Sequence, residues 1–142
     1  MASATTSDFL QQQVLDYLLK GVDWTPPSSL WVALFTTVPG LDGENGAEVP
    51  TLNTNYGRIE ITNEDWTGPG ASPNMEYHNT NDILFKIPTA SWGTIQGAGL
   101  YDAETEGNLY YTSTLTTPKT VSLNDGAPRI WAGQFRIVRA SA

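Results

Sequence analysis

The segment Ala90-Ser-Trp-Gly-Thr-Ile-Gln-Gly-Ala-Gly-Leu-Tyr-Asp102 forces glycines and aromatic rings into a stretch patterned as a β-strand. Side chains alternate along a strand, so Gly97 and Gly99 bare the same face and let another backbone or a bulky ring come close. The segment carries no nucleophile. Its chemistry is that of packing, and the bare Gly97/Gly99 face is expected to lie against a ring or backbone inside a β-structure.

The rest of the composition agrees with a chain of short strands and turns. Of 142 residues only 15% are charged, while 13 are glycine, nine are proline and 11% are aromatic. Such a mixture predicts a mainly β domain spanning residues 1–142. The formal net charge of -8 disfavours long-range attraction to nucleic acid or to an anionic membrane surface. Basic residues concentrate late, at Lys119, Arg129, Arg136 and Arg139, whereas most acids precede Glu106. There is no cysteine for a disulfide or a thiolate metal site. The N-terminal Met-Ala-Ser-Ala-Thr-Thr-Ser-Asp lacks the basic and apolar regions of a signal peptide, and no apolar run reaches membrane-spanning length. A soluble protein made in the cytoplasm is expected.

One helix is predicted over residues 8–20. Leu10, Val14, Tyr17 and Leu18 recur at helical spacing, Leu15 and Leu19 widen the stripe, Ser7 or Asp8 can cap its start, and Gly21 can end it. A helix this short is not stable alone, so the stripe must dock on its own chain or on a neighbour. Leu30–Thr36 is apolar at both alternating sets of positions, which predicts a central strand covered on two sides. In Tyr56–Thr62, Ile59 and Ile61 alternate with Arg58 and Glu60, the pattern of a half-exposed strand. Further strands are expected at Ile83–Ile87, Thr94–Tyr101, Asn108–Thr117, Thr120–Leu123 and Arg129–Val138, with a hairpin turn over Asp102–Asn108. In the last strand a bulge at Gly133 would bring Ile130, Ala132, Phe135 and Ile137 onto one face. The expected architecture is an antiparallel β-sandwich or open barrel of about seven strands over residues 28–139, with long loops at 38–55 and 63–81 and one N-terminal amphipathic helix.

Catalytic and metal-binding patterns are weak. His78 is the sole histidine, and no Gly-x-Ser-x-Gly elbow supplies a nucleophile. One histidine without cysteine does not make a zinc site. Asp102, Glu104 and Glu106 before Gly107 echo half of a calcium loop, but Ser113 stands where the closing glutamate belongs, so a solvated hairpin tip is the simpler reading and weak calcium binding the alternative. No catalytic residue, cofactor or metal is therefore assigned, and no enzyme is expected. Among the aromatics, Trp31 and Trp131 sit within strand patterns and are expected in the core. Trp66 and Tyr77 lie in the irregular stretch, free either to be buried under their own loop or to meet a protein or stack on a sugar.

Taken in order, several segments resemble a family of small tailed-phage virion proteins often labelled tail fibre proteins. They are Asp16–Gly21, Leu30–Pro39, Glu48, Tyr56-Gly-Arg58, Phe85–Thr94, Gly99–Ala103, Gly107–Leu109, Leu115–Val121 and Ala132-Gly133. The resemblance covers nearly the whole chain and implies a structural part of a virion. The insert Thr62–Asn81 and the basic tail Arg136–Arg139 depart from the family pattern and are candidates for partner-specific contacts. No repeat or heptad builds a fibrous shaft. The resemblance read together with that lack favours a homo-oligomeric capsid cement protein that binds the major capsid protein and stabilises the head. The alternative is a tail fibre or baseplate component that binds a host receptor or glycan. Candidate interface residues are Leu10, Val14, Tyr17, Leu18, Trp66, Tyr77, Arg136 and Arg139.

Overall fold

A computed structural model of the chain describes residues 1–73 and 75–138. In chain order the elements are β1 (Thr5–Thr6), α1 (Asp8–Leu15) continued by a π-helical turn (Asp16–Lys20), β2 (Ser29–Thr37), β3 (Ala47–Glu48), β4 (Ile59–Thr62), a 3-10 turn (Asn63–Asp65), β5 (Trp66–Thr67), β6 (Tyr77–Asn79), β7 (Ile83–Leu84), β8 (Gly93–Tyr101), β9 (Leu109–Val121), β10 (Arg129–Ile130) and β11 (Arg136–Ile137). The main sheet runs β1-β9-β8-β2-β3, with β4 also paired to β2. Smaller sheets are formed by β10-β7 and β11-β6-β5. Every strand pair is antiparallel, no sheet among the described residues closes into a barrel, and the layers are sandwich-like.

Strand β2 is covered on both faces, as its unbroken apolar run predicts. Val32 and Leu34 enter the principal core with Ala98, Leu100, Tyr110 and Val121, where Val49, Tyr56, Phe85, Trp92, Ile130 and Phe135 meet them from outside the main sheet. Ala33 and Phe35 point the other way, into a second cluster with Leu109, Val38 and Tyr101. The glycines of β8 belong to this second face. Gly97 pairs with Phe35 and Gly99 with Ala33 across the β2–β8 ladder. A Cβ on Gly99 would stand 2.7 Å from the Phe35 ring, and one on Gly97 would stand 2.5 Å from the Ser113 carbonyl and 2.6 Å from Val38. Both approaches are closer than any side chain tolerates, so the ring and the neighbouring backbone occupy the space the glycines leave.

Several elements depart from the expected pattern. The strands expected at Asn108–Thr117 and Thr120–Leu123 are one strand, β9. Its pairing slips from Ile95↔Lys119 to Gly97↔Thr114, so Leu115–Pro118 bulge opposite Gln96, where a proline without an N–H is tolerated. The expected long strand Arg129–Val138 is instead two short ones in different sheets. Gly133, at φ 80°, sits in a turn closed by Gln134 N–H on the Trp131 carbonyl (3.0 Å) rather than in a bulge. Ile130 and Phe135 are buried, Ile137 is half-buried and Ala132 is exposed, so the four do not share a face. Trp131 is 61% exposed and Trp31 half-buried, so neither is the core residue its strand setting suggests. Trp92 takes that place, buried, with its indole N–H on the Thr54 carbonyl (2.8 Å) and its ring edge-on to Tyr56 at 5.4 Å. That bond pins the end of the 38–55 connection, and the 63–81 stretch contributes β5 and β6 to the third sheet.

Arg58, expected on an exposed face, is buried instead. Its guanidinium grips Glu48 through Nε (2.9 Å) and Nη2 (2.8 Å), while Nη1 donates to the carbonyls of Ala103 (2.8 Å) and Glu106 (2.7 Å). The Tyr101 ring lies 3.8 Å below its plane. Tyr56 completes the arrangement: its hydroxyl donates to Glu48 (2.6 Å) and accepts the Leu34 N–H (3.0 Å). Burial, reinforced by the Glu48 charge, pushes the Tyr56 hydroxyl far above the usual tyrosine range, so it stays a donor. Burial lowers the Arg58 pKa, but the hydrogen bonds and charge of Glu48 outweigh that effect and raise it overall.

Two substitutions test this packing. Gly97→Ala should destabilise the fold by about 1–3 kcal/mol through overpacking, read as a lowered urea midpoint; an unchanged midpoint would refute the close approach. Arg58→Met, which removes the buried guanidinium and leaves the half-buried Glu48 without its partner, should cost about 3 kcal/mol in the same assay. A loss of the size of a surface ion pair, below about 1 kcal/mol, would show that the pair is effectively solvated.

Candidate interaction surface

The helix is fastened at its start and free at its end. Ser7 is the N-cap: its Oγ accepts the Leu10 N–H (3.1 Å) and donates to the Leu109 carbonyl (2.6 Å), while its own N–H meets the Tyr110 carbonyl (2.9 Å). Asp8 N–H bonds the Leu41 carbonyl (2.9 Å), Phe9 tilts against Tyr110 at 5.6 Å, and Leu10 is buried. The first turn is therefore bolted to β9.

Beyond Leu10 the apolar residues of the helix are exposed, increasingly so toward its end. Exposure is 38% at Val14, 51% at Leu15, 53% at Tyr17, 69% at Leu18 and 78% at Leu19, and Val22 beyond the helix is also exposed. The helix covers residues 8–20 as predicted, but its last turn is π-helical and ends on Gly21 at φ 67°. A contiguous run of large exposed apolar side chains on an anchored helix has the character of an interaction surface.

The other candidate residues lie around the third sheet. Trp66 is half-buried, edge-on to Phe135 at 6.2 Å, and shares with Leu10, Trp24 and Tyr111 the lining of a groove of about 190 Å³. The structure thus brings Leu10 and Trp66 to one groove. Tyr77 is 40% exposed on β6, beside β11, where Arg136 pairs with His78 in register and contacts Glu76 at 3.4 Å. His78 also approaches Glu76, at 3.4 Å. The insert and the basic tail, the two departures from the resembled pattern, therefore pair with each other. Arg139 lies outside the described residues.

Charge is locally balanced here: Arg129 contacts Asp82 (3.2 Å) and covers the exposed Trp131 ring at 4.7 Å. In the 102–108 hairpin, Asp102 Oδ1 accepts the Asn108 N–H (2.7 Å) and Oδ2 its side-chain amide (3.0 Å). Among the described residues no group of three or more histidine, aspartate or glutamate side chains gathers for a metal ion.

Sequence reasoning missed two residues that organise this region. Asn79 is fully buried: its Oδ1 accepts the Phe135 N–H (2.9 Å) and its amide donates to the carbonyls of Asn81 (2.7 Å) and Trp131 (3.1 Å). It locks the insert to the last segment. A lone asparagine in a polar stretch carries no signal of this. Arg58 is the other, and its conflict with the alternation of Ile59 and Ile61 hid its burial, although Tyr56-Gly-Arg58 and Glu48 are among the motifs of the resemblance.

The described residues thus form a β-rich, sandwich-like body whose N-terminal helix carries exposed apolar side chains. Residues 5–138 match the family model described as podophage GP4 fiber I protein gp80, and the chain belongs to that family. No curated protein matches the sequence. Membership agrees with the resemblance read from the segments above and makes this a phage structural protein of the virion.

Proposed function

We propose that this protein is a non-catalytic, fibre-type component of the phage tail that attaches to the virion through the apolar helix face of Val14, Leu15, Leu18 and Leu19. The observation that carries the reading is the contrast between the bolted first turn and the uncovered end of the same helix. A rigid body holds the face in a fixed orientation, so little ordering entropy opposes docking. The family description supports a fibre position. In that setting Trp66 and Tyr77 are the rings offered to a host receptor or glycan, and Arg136 is a polar contact beside them.

A head-cement role, with the same face seated on the major capsid protein, is the second reading. It is favoured by the lack of a shaft repeat or heptad. Copy number and position separate the two: labelling of intact particles should find a few copies at the tail, whereas hundreds over the head would replace the fibre reading with cement.

Leu18→Glu tests the attachment face itself. Leu18 makes little contact within the chain, so the variant should keep its thermal midpoint while its incorporation into particles falls about tenfold or more. Normal incorporation would exclude this face as the attachment surface.

A further inference from the structure

A slot of about 60 Å³ runs from the surface into the principal core, lined by Leu34, Phe85, Ile95, Leu115, Val121 and Ile130. All but Leu115 are buried. Protein interiors are close-packed, and an unfilled apolar space costs stability. The walls are fixed: the Phe85 N–H bonds the Pro128 carbonyl (2.8 Å), and Leu115 begins the bulge of β9 opposite Gln96.

Two cations complete the lining, Lys119 and Arg129, both exposed and therefore at the mouth. Lys119 is the unusual one. Its cross-strand partner Ile95 and its second neighbour along β9, Val121, are both buried, so a lysine occupies a position whose side chain points to the core face. Its alkyl stem can follow the slot while the ammonium reaches water. Among the described residues Lys119 joins no ion pair, whereas Arg129 is shared with Asp82 at 3.2 Å. The mouth of the slot thus keeps a positive charge in a chain of net charge -8.

We infer that the slot is an anchor site for a segment of another virion protein that presents a branched aliphatic side chain flanked by carboxylates. The aliphatic group fills the slot, and the carboxylates meet Lys119 and Arg129. Size selects the anchor: an apolar cavity of about 150 Å³ holds a benzene ring, so this smaller slot takes one aliphatic side chain and no aromatic ring. A free acid that small gains too little contact to be held tightly. A protein segment continues onto the exposed Leu84, opposite Arg129 across the β7–β10 ladder, and onto Trp131, whose ring lies under the guanidinium. Tryptophan and arginine are the residue types that most often carry binding energy at interfaces. This surface shares no residue with the helix face, so its test is independent of the attachment reading.

An inward-pointing lysine also guards an open sheet edge, and among the described residues β9 has no partner on its outer side beyond Thr114. That role needs no slot and draws no distinction between acidic and basic ligands. Methyl NMR titration of the full chain with acetyl-Asp-Leu-Asp-amide separates the two, with acetyl-Lys-Leu-Lys-amide, acetyl-Asp-Ala-Asp-amide and the free acid isocaproate as comparisons. The acidic leucine peptide should shift the methyl signals of Ile95, Leu115, Val121 and Ile130 and bind about tenfold or more tighter than each of the others. Lys119→Met should lose the preference for acidic over basic peptide yet keep leucine over alanine. Lys119→Glu, its fold checked by circular dichroism, should favour the basic leucine peptide. Unmoved slot methyls, equal affinity for the acidic and basic leucine peptides, or isocaproate bound as tightly as the peptide would overturn the proposal. So would native dimers in sedimentation equilibrium that Lys119→Glu abolishes, because the occupant would then be a second copy of this chain.

Discussion

The bidentate Arg58–Glu48 pair is the constraint on which the rest of this structure depends. One guanidinium makes four hydrogen bonds and sits on the Tyr101 ring, tying the start of β4, the short β3 strand and the 102–108 hairpin to one point. Tyr56 extends the grip to the backbone of β2. Burying a charged pair is favourable only when the geometry satisfies nearly every donor and acceptor, and here the guanidinium fork, carboxylate and two carbonyls do so. The consequence is positional. The hairpin that leads into β9 is fixed by Arg58, and β9 carries the carbonyls of Leu109 and Tyr110 that fasten Ser7. A chain of specific bonds thus runs from the buried arginine to the base of the helix.

Much of the fold is legible in local pattern because local pattern is what packing acts on. The two-sided apolar run of β2, the Gly97/Gly99 face, the helix limits and the Asp102–Asn108 hairpin follow from periodicity, glycine geometry and capping, each a property of a few consecutive residues. What pattern does not show is satisfied by residues far apart in the chain. Alternation placed Arg58 outside because Glu48, Ala103 and Glu106 are distant in sequence. Asn79 is buried because Phe135 and Trp131 come to it. Trp131 lies outside because Gly133 turns the chain instead of bulging it, which sends Arg129–Ile130 and Arg136–Ile137 to different sheets.

The candidate surface divides in the same way. The stripe Leu10, Val14, Tyr17 and Leu18 is plain in the sequence, but spacing alone does not say whether an amphipathic helix docks inward or outward. The structure separates Leu10, committed to the core, from the residues that follow it. The insert and the basic tail each stand out as departures from the resembled pattern; their pairing through β6 and β11 required the fold. Trp66, which the sequence leaves free either to be buried or to meet a partner, is half-buried against Phe135.

The family places this chain in the virion, and the proposed attachment adds a division of labour: the β-body is tied together by the hydrogen bonds of Arg58 and Asn79, and the exposed helix end is the surface proposed for contact. A side-chain-resolution cryo-electron microscopy map of the intact particle tests this most directly. The account predicts Val14, Leu15, Leu18 and Leu19 covered by protein, with the body unchanged around Arg58 and Glu48. A map in which these side chains face solvent while another surface carries the attachment would contradict it.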